Sequence, residues 1–425
     1  MRRNSTRYGL TGVAKRGTMT QRKFWIGKAA VAIAAAALIT ACASGGGSTG
    51  ASSGAKSSGS ITIGFIGSLQ SATYSFPETA AAAQAEVDAV NAAGGINGKT
   101  VKLSVCNDQA NTSQAVVCVR QMTNAGAVGV VGGISTVGQT ITSDLQDADL
   151  VYTGERPLSP GELNSPISFP MVGGSDSTAA GLGMYAATTA GCTRMYMLVS
   201  DDSPAALTGT AFAEGYKYAS GGKTVGKTVT PSPDTSYAAA AASAVAFNAD
   251  CVFFTVDVQE GPKAIPTLRA ALPNAKFFTT AGNMPTPIID ALGKDADGLY
   301  LADSVLPVNA TGNATLNQFK TEMAKYQPKA TVDGFAVTSW LGTQLLLNTI
   351  KTMTAPVTAQ NVLTAFNHLG AYNGGDLIGN FSFQDKSTVA DATREFNSTY
   401  LVFKVENGTY SVSDQKFESA ASALG

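Results

Sequence analysis

From residue 61 onward the chain repeats one pattern: a short unbroken apolar run, then a longer stretch of helical spacing. Strands buried on both faces read as continuous apolar runs, and parallel neighbours need a crossover that is usually a helix. The first series places strands at 61–66, 100–105, 127–131 and 150–153, with helices at 77–93, 112–124 and 137–147 between them. Gly94-Gly95 stops the first helix, as glycine beyond a helix end does. The sequence then loosens through Pro157, Pro160, Pro166 and Pro170. A second series puts helices at 178–190, 205–219, 235–247, 261–271 and 285–292, and strands at 195–200, 224–229, 251–256, 276–280 and 298–302. Two successive series imply an α/β protein with two doubly wound parallel sheets. Helices at 313–326, 332–352 and 359–369 follow, then a strand at 380–384 and a hairpin, 398–405 with 410–413, turning at Asn407-Gly408. This late return of helices predicts that the chain crosses back to finish its first lobe.

The N-terminus constrains where such a protein works. Arg22, Lys23 and Lys28 precede the uncharged stretch 29–39, and Thr40-Ala41-Cys42 follows. A basic segment, a short apolar core and small residues before a cut site define a secretory signal. Ile39-Thr40-Ala41-Cys42 also resembles the bacterial lipobox, with Ile where Leu is usual, which implies a diacylated Cys42 as the new N-terminus. Met19 serves such a signal as well as Met1 does. Residues 43–60 are almost entirely Gly, Ser, Ala and Thr, a composition that behaves as flexible tether.

Eight of the 29 basic residues lie before Cys42 with no acid among them, which leaves 21 against 30 acids, a net charge of −9. An acidic chain without a zinc-finger spacing or basic helix is a poor partner for nucleic acid. Cys106 and Cys118 close a strand and sit on the next helix, so they either pair locally or remain separate buried thiols. Cys192 and Cys251 each precede an apolar strand and can pair if those strands are parallel neighbours. Their wide spacing and the single histidine, His368, argue against a metal site, and no cofactor is expected.

Ile63-Gly64-Phe65-Ile66-Gly67-Ser68-Leu69, Asn91-Ala92-Ala93-Gly94-Gly95-Ile96-Asn97-Gly98-Lys99, Asn107-Asp108-Gln109, Gly129-Val130-Val131-Gly132-Gly133 and Gly379-Asn380-Phe381-Ser382-Phe383 carry a resemblance. Together they are similar to the type I periplasmic binding proteins of ABC importers, specifically the branched-chain amino acid branch, over roughly 61–412. The resemblance implies two doubly wound lobes joined by a three-strand hinge, a small ligand between them, and a monomer that partners ABC permease subunits. On it the chain divides into a signal peptide (1–41), a lipid-anchored linker (42–60), a first lobe (61–172 with 305–395), a second lobe (173–304 with 396–415) and a tail (416–425).

Open parallel sheets bind ligands beyond the carboxyl ends of their strands. That places Leu69, Tyr74 and Phe76 after the first strand and Ser135 and Thr136 after the third, where the family holds a ligand carboxylate. Ser135 and Thr136 equally suit capping of the next helix. Glu155 and Arg156 follow the fourth strand; the arginine either clamps a carboxylate or pairs with Glu155. The second lobe offers Asp202, Asp257 and Asn283. The family keeps an acid for the ligand's ammonium in the loop filled here by Ala281, Gly282 and Asn283, so either Asp257 replaces it or the ligand is no α-amino acid. No nucleophile elbow, P-loop or dinucleotide fingerprint appears, and the chain is expected not to be an enzyme. The expected role is a membrane-tethered, extracytoplasmic receptor that gives an amino acid or related carboxylate to an importer, or one that presents it to a separate signalling partner.

Overall fold

The computed structural model describes residues 59–425 apart from 72–74, 202, 232, 235 and 413–414. The expected export signal, Cys42, Tyr74 and Asp202 therefore lie outside the described residues. Elements run in the order β1 (Ser60–Gly67), α1 (Pro77–Ala92), β2 (Thr100–Asn107), α2 (Thr112–Asn124), β3 (Val130–Gly132), α3 (Gly138–Asp147), β4 (Tyr152–Thr153), α4 (Pro160–Asn164) and β5 (Ser168–Phe169). Then come α5 (Ser175–Thr188), β6 (Met195–Ser200), α6 (Ser203–Ala219), β7 (Gly226–Thr230), α7 (Ala238–Ala246), β8 (Cys251–Thr255), α8 (Gly261–Ala271), β9 (Lys276–Thr280), α9 (Thr286–Leu292) and β10 (Tyr300–Asp303). The last part holds α10 (Ala314–Tyr326), α11 (Gly334–Thr352), α12 (Ala359–Phe366), β11 (Ala371–Tyr372), β12 (Phe381–Ser382), β13 (Thr399–Glu406), β14 (Thr409–Ser411), β15 (Glu418–Ser419) and α13 (Ala421–Leu424).

The first sheet has the order β2-β1-β3-β4-β5 with every pairing parallel. The second runs β14-β13-β10-β9-β8-β6-β7, parallel from β10 to β7 and antiparallel where β13 and β14 join. The α/β class with parallel sheets is thus as the alternating pattern predicts. Between the two sheets the chain passes three times: after β5, after β10, and into β13. On the middle passage α11 returns to the first lobe, packing on α1 and β3. The central strands are dry and the edge strands β2 and β7 partly exposed: Phe65, Tyr152, Phe253 and Phe277 are fully buried, as is Trp340 of α11.

Two stretches carry more structure than the sequence reading gave them. Residues 157–170 hold α4 and β5. The signal was present as Ser159-Pro160-Gly161-Glu162, a cap, a first-turn proline and a glutamate at the third helical position. The carboxylate of Glu162 accepts hydrogen bonds from the Leu158 and Ser159 amides and the Ser159 hydroxyl. Residues 416–425 are not a loose tail. β15 pairs antiparallel with β13 (Thr399↔Ser419), Ala420 is buried, and α13 lies on α5 and α6.

Both disulfides are present. Cys106–Cys118 joins the end of β2 to α2, with Cα atoms 5.4 Å apart. Cys192–Cys251 spans 5.8 Å, and its pairing follows from β6 and β8 being parallel neighbours, Met195 opposite Cys251.

Helices α5 and α6 meet backbone to backbone. A Cβ at Gly215 would lie 2.0 Å from the Ala180 carbonyl oxygen, and one at Gly183 would lie 2.2 Å from that of Phe212. Neither obstacle is a side chain that can turn aside. Gly215→Ala should cost about 1–3 kcal/mol by overpacking, read as a lower urea midpoint with an unchanged slope.

Candidate functional site

The loops beyond the strand ends are locked to one another. In the first lobe the Ser68 amide donates to the Ile134 carbonyl (2.8 Å) and the Ser68 hydroxyl to Asp108 (2.7 Å). The Leu69 amide donates to Asn107, and Leu69 itself is half-buried. Ser135 is fully buried with its hydroxyl oxygen accepting from the Val137 amide, whereas Thr136 is exposed. Ser135 therefore acts in its own turn, and Thr136 is the more available of the two hydroxyls.

Glu155 and Arg156 part company. Glu155 turns into the first lobe, fully buried, where it accepts from the Ser168 hydroxyl. Burial pushes its carboxyl up to about 7. Arg156 turns the other way and ion-pairs with Asp303 at the end of β10 (2.8 Å), not with Glu155. It also donates to the Thr338 hydroxyl and the Gly334 carbonyl, and its guanidinium lies 4.8 Å from the centre of the Phe335 ring.

Phe335 is the meeting point. The first turn of α11 carries it, and Asp333 caps that helix by accepting from the Ala336 amide. Its ring meets Phe76 edge-on at 5.2 Å. A Cβ at Gly282, in the loop after β9 of the second lobe, would lie 3.1 Å from the same ring. So α1, the β4 loop, α11 and the β9 loop converge here. The other second-lobe candidates have local duties. Asp257 caps a 3-10 turn by accepting from the Gln259 amide, and the Asn283 side chain donates to the Thr279 hydroxyl. Among the described residues neither side chain hydrogen-bonds to Arg156.

Between the lobes lies a cavity of about 30 Å³ lined by Gly282, Asp303, Asp333, Phe335, Phe403 and Tyr410. Burial raises the pKa of Asp333, an effect that nearby Arg156 opposes. Glu78, in the first turn of α1, is pushed up to about 7 by burial and then by the charge of Asp333. A larger open groove of about 330 Å³ is lined by Arg120, Thr123, Asp144 and Asp147. It lies at the C-terminal ends of α2 and α3, hence at the amino edge of the sheet, which is the wrong edge for ligand in a doubly wound fold.

The sequence reading named Phe76 and Arg156 from this cluster and missed Asp303, Asp333 and Phe335. Asp303 is the last residue of β10, the final parallel strand of the second lobe, and treating that strand end like the others would have found it. Asp333-Gly334-Phe335 precedes a helix that no strand immediately feeds, so the strand-end rule does not reach it.

A family model described as periplasmic binding protein matches residues 60–409. No curated protein matches the sequence. Among solved structures, a fatty acid ABC transporter substrate-binding protein from Thermomonospora curvata is 14% identical at a TM-score of 0.72, covering 86% of this chain and 94% of its own. A branched-chain amino acid transporter substrate-binding protein from Streptococcus pneumoniae, in complex with isoleucine, is 17% identical at 0.69, covering 83% and 98%. An ABC transporter solute-binding protein from R. palustris, in complex with benzoate, is 16% identical at 0.66, covering 83% and 95%.

Proposed function

This chain belongs to the periplasmic binding protein family, a family of binders and not of enzymes, and from that premise we propose that it is an extracytoplasmic receptor for an ABC importer. On this reading it is tethered to the membrane through Cys42 and captures a small amino acid or related carboxylate between its lobes. The observation that carries the proposal is the contact of Phe335 with both Phe76 and the Gly282 loop, which brings the carboxyl ends of the two sheets to one place. Fold relatives solved with isoleucine and with benzoate hold ligands that share a carboxylate and an apolar body. That pairing suits an aromatic wall at Phe76 and Phe335 together with the exposed Thr136 of the first lobe. Arg156 is already committed to Asp303, so the carboxylate is better assigned to the Ser135–Thr136 loop and the adjacent N-terminus of α3.

Thermal-shift screening against amino acids, small carboxylates, amides and polyols tests this. A ligand at about 100 times its Kd stabilises the native state by ~2.7 kcal/mol, which raises the melting temperature by several degrees. The hit should also reduce the radius measured by X-ray scattering, as hinge closure does. Phe335→Ala should weaken that hit at least tenfold. A panel without a single hit removes the receptor reading.

A further inference from the structure

We propose that the ion pair between Arg156 and Asp303 is a latch between the lobes, which holds the unliganded protein in an arrangement filled by its own side chains and must break before ligand enters. This deepens the receptor reading, on which the consequence for ligand rests.

The geometry separates the two sides of the arginine. Its Nε donates to the Thr338 hydroxyl (3.1 Å), its Nη2 donates to the Gly334 carbonyl (3.2 Å), and its guanidinium lies over the Phe335 ring. All three partners belong to α11, which packs on α1 and β3 of the first lobe. Asp303 ends β10 of the second sheet, and its Oδ1 lies 2.8 Å from Nη2. The first lobe thus presets the arginine, while its one ion pair among the described residues is with the second. The two side chains are 16% and 11% exposed, so salt screens this pair less than a pair at the surface. A Cβ on Gly334 would lie 2.8 Å from Asp303 Oδ2 and 3.2 Å from Arg156 Nη2. The bare backbone at that point gives the pair its space.

The volume around the latch decides what it excludes. The cavity between the lobes measures about 30 Å³, one water molecule's share of the liquid, whereas sites for small ligands run to about 300–1,000 Å³. An amino acid or benzoate cannot enter it while Phe335, beneath the guanidinium, stands against the Gly282 loop. Gly282 and Asp303 both line that cavity from the second lobe. Rotation of that lobe about the hinge would carry both away from Phe335 and Arg156, parting the ion pair and enlarging the cavity in one motion. The state able to take ligand is then a fraction of the population, and apparent affinity falls by that fraction.

The test compares the intact protein with Asp303→Asn, Arg156→Gln and Arg156→Lys by small-angle X-ray scattering, then by calorimetric titration with amino acids and small carboxylates, isoleucine and benzoate among them. Asp303→Asn keeps the size of the side chain and an acceptor for the Ser304 amide. Without ligand, Asp303→Asn and Arg156→Gln should show a larger radius of gyration than the parent, and Arg156→Lys, which keeps the charge, should stay compact. The two expanded variants should bind the same probe at least threefold more tightly than the parent and contract on binding it. A pair with only a structural part would lower the melting temperature of both variants and leave the radius unchanged. That result, or expanded variants that bind a probe no more tightly than the parent, overturns the inference and leaves the receptor reading standing. Expansion without binding of any probe, by parent or variant, upholds the latch and removes the receptor reading instead.

Discussion

Replacing Cys192 and Cys251 together by alanine will lower the unfolding free energy by about 4 kcal/mol. The bond closes a loop with a sequence separation of 59, and the chain-entropy relation gives ~4 kcal/mol for a loop of that length. The shorter Cys106–Cys118 loop, with a separation of 12, is worth ~3 kcal/mol on the same relation. The native geometry adds a reason for the first loss to be realised in full. Cys192 and Cys251 are 3% and 1% exposed, so the double variant also leaves a small void beside Met195. Urea unfolding under non-reducing conditions measures the loss. A change below ~1 kcal/mol would mean that pairing of β6 with β8 already restricts the unfolded chain, and that the entropic account fails here.

Stability will be greatest near pH 5 and will decline toward pH 8, the reverse of an acid-sensitive protein. The cause is a set of buried carboxyls inside the first lobe. Burial pushes Glu162 up to about 8 and Glu155 up to about 7, and each adds to the other's environment or to that of Tyr152, which is buried beside them. Glu162 Oε1, Glu155 Oε2 and the Tyr152 hydroxyl have no hydrogen-bond partner among the described residues. Between the ordinary glutamate value and these raised values the folded state holds protons that the unfolded state has released. Unfolding therefore releases protons, and raising the pH favours it. The stabilisation is complete below the ordinary glutamate range and is lost as the pH climbs through about 7 and then about 8. For Glu162 alone the loss between pH 5 and pH 8 is ~4 kcal/mol at about 1.4 kcal/mol per unit. Glu86, raised to about 8, and Glu395, raised to about 7, act in the same direction. Asp250 and Glu260 are lowered and oppose it, but their window lies below the ordinary carboxylate values. Melting temperature followed from pH 5 to pH 8 checks this, and Glu162→Gln, which keeps an acceptor for the Leu158 and Ser159 amides, should flatten the curve. A melting temperature that climbs over this range would show these carboxyls to be hydrated and ordinary.

The two sheets were legible because their strands are apolar on both faces. Runs such as Met195–Ser200 and Cys251–Thr255 have no other stable use, and their bounds agree with the pattern to within a residue. The candidate cluster around Phe335 was half legible. A strand-end rule reaches Arg156, three residues beyond β4, and Phe76, in the loop from β1 to α1, but the direction of a side chain is a tertiary property. Glu155 and Arg156 are neighbours in sequence and turn to opposite sides, one to Ser168 and the other to Asp303. Phe335 belongs to a helix contributed by the return passage, and its partners Phe76 and Gly282 come from the two different lobes. No local pattern marks such a residue. The C-terminal β15 and α13 escaped for another reason: two paired residues and one short turn of small side chains carry no periodicity to read.

The return passage also sets the order in which this molecule can be finished during its own synthesis. The strands of the first sheet are complete by Phe169, yet α11, which packs on β3 and α1, begins only at Gly334. Until that helix is made, Trp340 and its neighbours are missing, and the sheet that was made first has an unsealed apolar face. The second sheet's parallel strands, Met195–Ser200 through Tyr300–Asp303, lie within the intervening length and can pair earlier. The second sheet waits longer still for its antiparallel strand β13, which starts at Thr399, so a ribosome still short of Gly334 carries a chain with neither lobe finished.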